Sequence, residues 1–248
     1  MVCPRHAKTV AAKEMAVKSV FLPEPAIEGD KLRIVGDEHH HLSVARVEVG
    51  ERVEVFNGRG EVWNVGVLAL TRRETLVRVL DHRSIQRTGP EIVLGLSLIK
   101  PAVFELALEK AVEVGVTGIL PIMATRSNTL PRDRAARWSR VVIEAAKQSK
   151  RYHLPVVEEP VRFPQALTLQ AATKIVFAER GGGPLKSAIA GSPALCLVGP
   201  EGGWTDEELE SASRQGFHPV GLGDSILRSE TAAIVGAALI RYELQRTS

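Results

Sequence analysis

The chain has two textures of apolar and polar positions, which meet near residue 90. Through residues 20–83, apolar and polar residues alternate over short stretches cut by glycine: "KLRIVG", "RVEVFNG", "EVWNVGVLAL" and "TLVRVLD". A period of two marks half-buried strands, and Asn57-Gly58 followed by Gly60 marks a hairpin between two of them. The stretch "DEHHHLSVARVE" predicts one short helix among these strands, so this part is a small antiparallel β domain, barrel or sandwich. Residues 82–90, "HRSIQRTGP", read as a linker. Beyond Pro90 the apolar runs become continuous ("EIVLGLSLI", "GILPIM", "KIVFAE", "ALCLVG", "PVGLG") and alternate with segments of helical period. Predicted helices cover residues 104–114, Arg134–Ser149, "TDEELESASRQG" and "TAAIVGAALIRYEL". In the first, Phe104, Leu108 and Ala111 share one face and Glu105, Glu109 and Glu113 another, and Gly115 stands where a helix C-terminus favours glycine. The last is apolar nearly all round, which predicts burial. Strands apolar on both faces, alternating with helices, imply a mostly parallel α/β sheet.

Two of the predicted strands end in glycine loops that lead into helices: "CLVGPEGGWTDEELE" (196–210) and "GLGDSILRSETAA" (221–233). Either loop alone is explained equally well as a tight turn or as a ligand grip. Together they fall at the carboxyl ends of two strands, where open α/β sheets bind ligands. Phosphate is a poor occupant. No GK[ST] and no GxGxxG is present, and Glu201 in the middle of the first loop would repel an anion. Thr205 and Glu208 form a T-x-x-E capping box that already satisfies the helix N-terminus. The pattern suits a neutral or cationic ligand held by backbone groups.

Composition narrows the class without naming it. The chain has 248 residues, enough for one large domain or two modest ones, with 44% hydrophobic and 25% charged residues. Aromatics are 4% and the net charge is +3, which permits a polyanionic partner without demanding one. The two cysteines, Cys3 and Cys196, exclude a disulfide framework and a cysteine-rich zinc site, and fit a reducing cytoplasm. The longest apolar run, residues 232–240, is too short to span a bilayer, and the basic first residues lack the apolar core of a signal peptide. Residues 1–18 read as an extension, with Met15 an alternative start.

"LVGPEGGWTDEEL" followed by "LGDSILRSETA" resembles the RsmE family, bacterial methyltransferases that make N3-methyluridine in 16S rRNA. "HHLSVARVEVGERVEVFNG", "ELALEKAVEVGVTGILPIMATRS" and "RWSRVVIEAAKQSKR" resemble further segments of that family in its order, so the resemblance covers most of residues 20–244. It implies an α/β fold with a C-terminal SPOUT trefoil-knot domain that binds S-adenosylmethionine and an N-terminal PUA-like small β-barrel domain. Domain limits of 19–85 and 86–248 follow, with a homodimer as the working form and no metal. Cofactor-binding residues implied are Phe177, Leu197, Val198, Gly199, Pro200, Glu201, Gly202, Gly203, Leu222, Gly223, Ser225, Ile226, Leu227, Arg228 and Thr231. Ser225 stands where family members often carry a basic residue before "ILR", and "KPAVF" replaces a "KGDR"-like run, keeping Lys100. Ser229 replaces the threonine of "LRTETA", and Arg228 is the surviving arginine.

Methylation of uridine N3 removes an imide proton, leaving charge spread over O2, N3 and O4 that needs a cation or donors. Arg228 is the candidate for that role, and Glu201 or Glu230 for proton acceptor. Residues 126–151 hold eight Lys or Arg against two acidic residues, and Arg137, Arg140, Lys147 and Arg151 recur at a spacing that puts them on one helix face. With Arg126 and Arg46 they form the expected contact to rRNA phosphates; a solvated basic face is the plainer alternative. His39, His40 and His41 point in three directions, so packing explains them better than a metal, and a solvated face explains Glu109 and Glu113. Three functions remain open: the rRNA base methyltransferase of the small subunit, a related enzyme on another RNA or on ribose 2′-oxygen, and a non-catalytic assembly factor.

Overall fold

A computed structural model describes residues 17–130 and 132–246. The expected N-terminal extension falls almost wholly outside the described residues, as does Cys3. The first sheet is built from β1 (Lys18–Phe21), β2 (Ile27–Glu28), β3 (Lys31–Val35), β4 (Arg52–Phe56), β5 (Glu61–Leu70) and β6 (Glu74–Ser84) in the order β1-β4-β5-β6-β3-β2. Alternation works as the pattern requires: Val53, Val55, Val65, Val67 and Val77 turn inward onto Leu32 and Ile34 of β3 and onto Leu42 of the helix α1 (Gly36–Val44). Three expectations are corrected. The sheet is not wholly antiparallel, because β1 pairs with β4 in parallel. No ladder joins β1 to β2 among the described residues, so in hydrogen bonding the sheet is open. The helix stops at Val44, and Arg46 adopts a left-handed φ of 52° that the turn into Val47 requires. The predicted linker also begins later, because β6 continues through His82 to Ser84.

The second sheet contains β7 (Ile92–Ser97), β8 (Gly118–Met123), β9 (Val156–Val157), β10 (Val161–Arg162), β11 (Thr173–Phe177), β12 (Ala194–Val198) and β13 (His218–Val220). Its order is β10-β8-β7-β12-β11-β13, with β9 also on β8, and every pair is parallel. The continuous apolar strands are explained by cover on both faces. Along β12, Ala194, Cys196 and Val198 pack with α2 (Pro101–Val114), α3 (Arg134–Ser149) and α7 (Ser229–Arg246), whereas Leu195 and Leu197 pack with α4 (Phe163–Ala166) and α6 (Asp206–Arg214). Gly115 caps α2 in the left-handed region, φ 102°, as its position predicts. The short β1, β2, β9, β10, α4 and α5 (Leu185–Ala188) were not foreseen, since two to four residues carry no readable period. Nor is α7 buried all round. Ser229, Ala233, Gly236, Ala237, Ile240 and Leu244 face inward, and Val235, Leu239 and Tyr242 are exposed. No helix of the described residues is long and apolar enough to cross a membrane.

Charged groups join the two parts. Glu54, on β4, accepts from Lys150 Nζ at 2.5 Å, from Arg83 at 2.7 Å and from Tyr152 Oη at 2.9 Å. Glu38 of α1 pairs with Lys147 of α3, whose ammonium is buried and also meets Glu144.

Candidate active site

Because all strands of the second sheet run one way, the segments that leave β7, β8, β11, β12 and β13 gather at one edge. A cleft of about 320 Å³ opens there. Phe177, Val198, Gly199, Pro200, Gly202, Gly203, Leu222, Gly223, Ser225, Ile226 and Leu227 line it, so both glycine loops meet in one place. The apolar walls come from Val198, Leu209, Leu222, Ile226, Leu227 and Ala232. Two carboxylates, Glu179 and Asp206, and two guanidinium groups, Arg126 and Arg180, supply charge of both signs. Such a lining takes a ligand with an apolar body and a polar, zwitterionic end.

The glycines are needed for room. A Cβ on Gly199 would come within 3.2 Å of the Trp204 ring, which is held by a 3.0 Å hydrogen bond from its Nε1 to Phe177 O and packs against Phe163. Gly203 has φ 69° and sits beside the Glu179 carboxylate. The capping box forms as read: Thr205 Oγ1 accepts from Glu208 N at 3.2 Å and Glu208 Oε2 from Thr205 N at 2.9 Å.

Four predicted cofactor residues do not line the cleft. Leu197 points to the opposite face of β12 from Val198, into the packing under α4 and α6, because strand side chains alternate. Glu201 turns away to accept from Asn128 Nδ2 at 2.8 Å and from Lys100 N at 3.3 Å. Ser229 and Ala232, one helical turn apart, face the cleft and leave Thr231 to the side. Arg228 is exposed between the lining residues Leu227 and Ser229, with no side-chain hydrogen bond among the described residues. Glu230 sits on the first turn of α7. Conversely, the wall from Ala178 to Arg180 was missed, although "FAERGGG" carries the same signal as the other loops, a strand running into glycine. Trp204, Asp206, Leu209, Val220, Ser229 and Ala232 were missed as well. Arg126, expected at RNA, lines this cleft and donates to Gly202 O at 2.7 Å.

The expected basic face of α3 is divided. Arg137 and Arg140 are exposed, and Arg137 pairs with Glu105 at 2.6 Å. Lys147 is buried against Glu38, so it faces the β domain and not solvent. Arg151 lies past the helix end and donates to Val112 O at 2.8 Å; burial, with Arg241 and Arg87 nearby, lowers its pKa to about 10. Arg46 is exposed on the β domain. His39 Nδ1 meets Thr75 Oγ1 at 2.8 Å in the interior while His40 and His41 are exposed, so the triplet diverges. Among the described residues no group of three or more His, Cys, Asp or Glu is placed to hold a metal. Burial pushes the Cys196 thiol up to about 12, which removes it as a nucleophile.

Comparison with known proteins agrees with this architecture. The RNA methyltransferase domain model matches residues 87–241, and the RNA methyltransferase PUA domain model matches residues 34–80. The ribosomal RNA small subunit methyltransferase E of Synechocystis is 32% identical, covering 98% of this chain and 82% of its own length. Its namesake from Bacillus subtilis is 29% identical over 88% of this chain and 92% of its own. The crystal structure of ribosomal RNA small subunit methyltransferase E from Neisseria gonorrhoeae, bound to S-adenosyl methionine, superposes with a TM-score of 0.84 at 30% identity, covering 91% of this chain and 97% of that one. The chain therefore belongs to the RsmE family of RNA methyltransferases, with the PUA-like domain and the α/β domain in the family's order.

Proposed function

We propose that this protein transfers a methyl group from S-adenosylmethionine to N3 of one uridine in 16S rRNA of the small ribosomal subunit, in the bacterial cytosol. The observation that carries the reading is the meeting of both glycine loops in one cleft of mixed lining. The lining fits the cofactor. Leu222, Ile226, Leu227 and Ala232 offer an apolar bed for an uncharged purine, and Glu179 and Asp206 favour cationic centres. S-adenosylmethionine supplies an electrophilic methyl group on a sulfonium. The chain's residues have the other tasks: to orient the uridine, to stabilise its anion and to receive its proton.

Arg228, uncommitted at the rim beside Leu227, is the group proposed to face the developing charge. Of the two carboxylates considered as proton acceptor, Glu230 has no side-chain hydrogen bond among the described residues, whereas Glu201 already accepts two. The acceptor role is therefore proposed for Glu230. Arg46, Arg137 and Arg140 are proposed to contact rRNA phosphates, with Arg126 between RNA and cofactor. Domain limits of 19–85 and 86–248, a trefoil knot of the SPOUT class in the second domain and a homodimer complete the proposal. The exposed stripe Val235, Leu239 and Tyr242 on α7, spaced near one helical face, supports a second copy there.

The test is product analysis. Small subunits from cells lacking the gene are incubated with the protein and S-adenosylmethionine, and their nucleosides resolved by mass spectrometry. One 3-methyluridine per subunit is expected, with the Arg228→Ala protein slower by about 100-fold or more at saturating cofactor and subunit. A methyl on ribose or on another base would overturn the assignment.

A further inference from the structure

We infer that Glu201 is a positioning residue: its carboxylate clasps the loop after β12 to the segments that leave β7 and β8, and takes no proton. This rests on the proposed cofactor cleft and assigns the one charged residue of the "GPEGG" loop.

Three ties cross between the same two segments. Glu201 Oε2 accepts from Asn128 Nδ2 at 2.8 Å, and Asn128 is itself anchored by its backbone N–H to Leu98 O at 2.8 Å. Arg126 donates to Gly202 O at 2.7 Å. Glu208 Oε1 accepts from Thr125 N at 2.9 Å while its other oxygen caps α6. Glu201 Oε1 adds a fourth contact, accepting from Lys100 N at 3.3 Å, where α2 begins. The loop so held contains Gly199, Pro200, Gly202 and Gly203 of the cleft wall, and three of these are glycines whose backbone has no side chain to restrain it. A flexible wall binds a ligand only after losing that freedom, so tethering it in advance raises affinity.

The choice of a carboxylate follows from the donors. One backbone N–H and one amide NH₂ converge on the residue, and only an ionised carboxylate presents acceptors on both arms. Glutamine keeps one acceptor and turns an NH₂ group against the other donor. A general base at this place would first have to give up both partners, which is a poor arrangement for proton transfer.

The experiment compares the full-length parent, Glu201→Gln and Asn128→Ala. Cofactor affinity is measured by calorimetry with S-adenosylmethionine alone, methyl transfer by single-turnover kinetics across pH, and folding by thermal melt. The clasp predicts affinity about tenfold weaker in each variant, the worth of one charge-assisted hydrogen bond at a partly exposed place. At saturating cofactor the transfer rate stays within about threefold of the parent, with an unchanged pH profile. The double variant is little weaker than either single one, since both remove the same tie. A Glu201→Gln protein that binds cofactor as the parent does overturns the inference. So does one whose rate falls about 100-fold or more with loss of a limb of the pH profile, as for a proton acceptor. If Glu201→Gln melts early, Asn128→Ala alone decides by the same affinity comparison. Failure of the parent to bind S-adenosylmethionine would instead remove the proposed function.

Discussion

At the scale of residues, the two glycines flanking the Pro200-Glu201 pair are not equivalent. A methyl group at Gly199 meets the Trp204 ring, which cannot move without breaking its bond to Phe177 O and its packing on Phe163. A methyl group at Gly202 meets the side chain of Arg126, its Cδ at 3.2 Å and its Cβ at 3.4 Å, and that side chain is exposed and flexible. Neither glycine lies at positive φ, so the difference is one of space alone. Gly199→Ala should therefore lower stability by about 1–3 kcal/mol, the usual cost of overpacking, and weaken S-adenosylmethionine binding at least about tenfold. Gly202→Ala should do neither by more than a small fraction of that. Urea unfolding and calorimetric titration of both variants check this. Equal affinities would mean that Trp204 does not set the shape of the cleft wall.

At the scale of elements, α3 divides its charges between two tasks. Arg137 and Arg140 face solvent, whereas Lys147, ten residues after Arg137, fills a buried pair with Glu38. Burial drives the Glu38 carboxyl above its ordinary range despite the Lys147 charge that opposes it, so the pair holds α1 to α3 at some electrostatic cost. Charge reversal at Arg137 and Arg140 should weaken subunit binding and flatten its dependence on salt, by a slope of about 1–2 for two phosphate contacts. Lys147→Gln should leave that slope unchanged and lower the melting temperature instead, because it strands Glu38. Binding measured over a range of salt separates them. An unchanged slope in the Arg137/Arg140 variant would make that face ordinary solvated surface.

At the scale of the whole molecule, Glu54 acts as the bolt between the β domain and the α/β domain. Burial alone would raise its carboxyl, but hydrogen bonds from Lys150 and Tyr152 and the charges of Lys150 and Arg83 outweigh it and hold the group below the usual carboxylate range. A depressed folded pKa adds stability that is present above the unfolded value, about 4.3, and is lost as pH falls through the folded one. Glu54→Gln should cost about 1–2 kcal/mol near neutrality, discounted because Lys150 and Arg83 are more than a third exposed, and should remove this part of the acid dependence. Melting temperatures of parent and variant should converge below about pH 4. Curves that stay parallel would show that the junction is held by its apolar contacts.

The parallel α/β sheet and the meeting of two glycine loops at its carboxyl edge were determined by sequence alone. Apolar periodicity and glycine placement act over a few residues and need no distant partner. That is why Arg134–Ser149 was read to the residue and why Gly115 fell where a cap requires it. The tertiary structure decided which way individual side chains turn. Glu201 is occupied by Asn128, 73 positions away, and Lys147 by Glu38, 109 positions away, and nothing local to either residue announces the pairing. The third wall of the cleft, Ala178 to Arg180, joins the other two only because β11 pairs with both β12 and β13. Strand order and domain docking are set by packing among segments far apart in sequence. A carboxylate or an ammonium therefore takes its role from whichever partner that packing brings within hydrogen-bond reach.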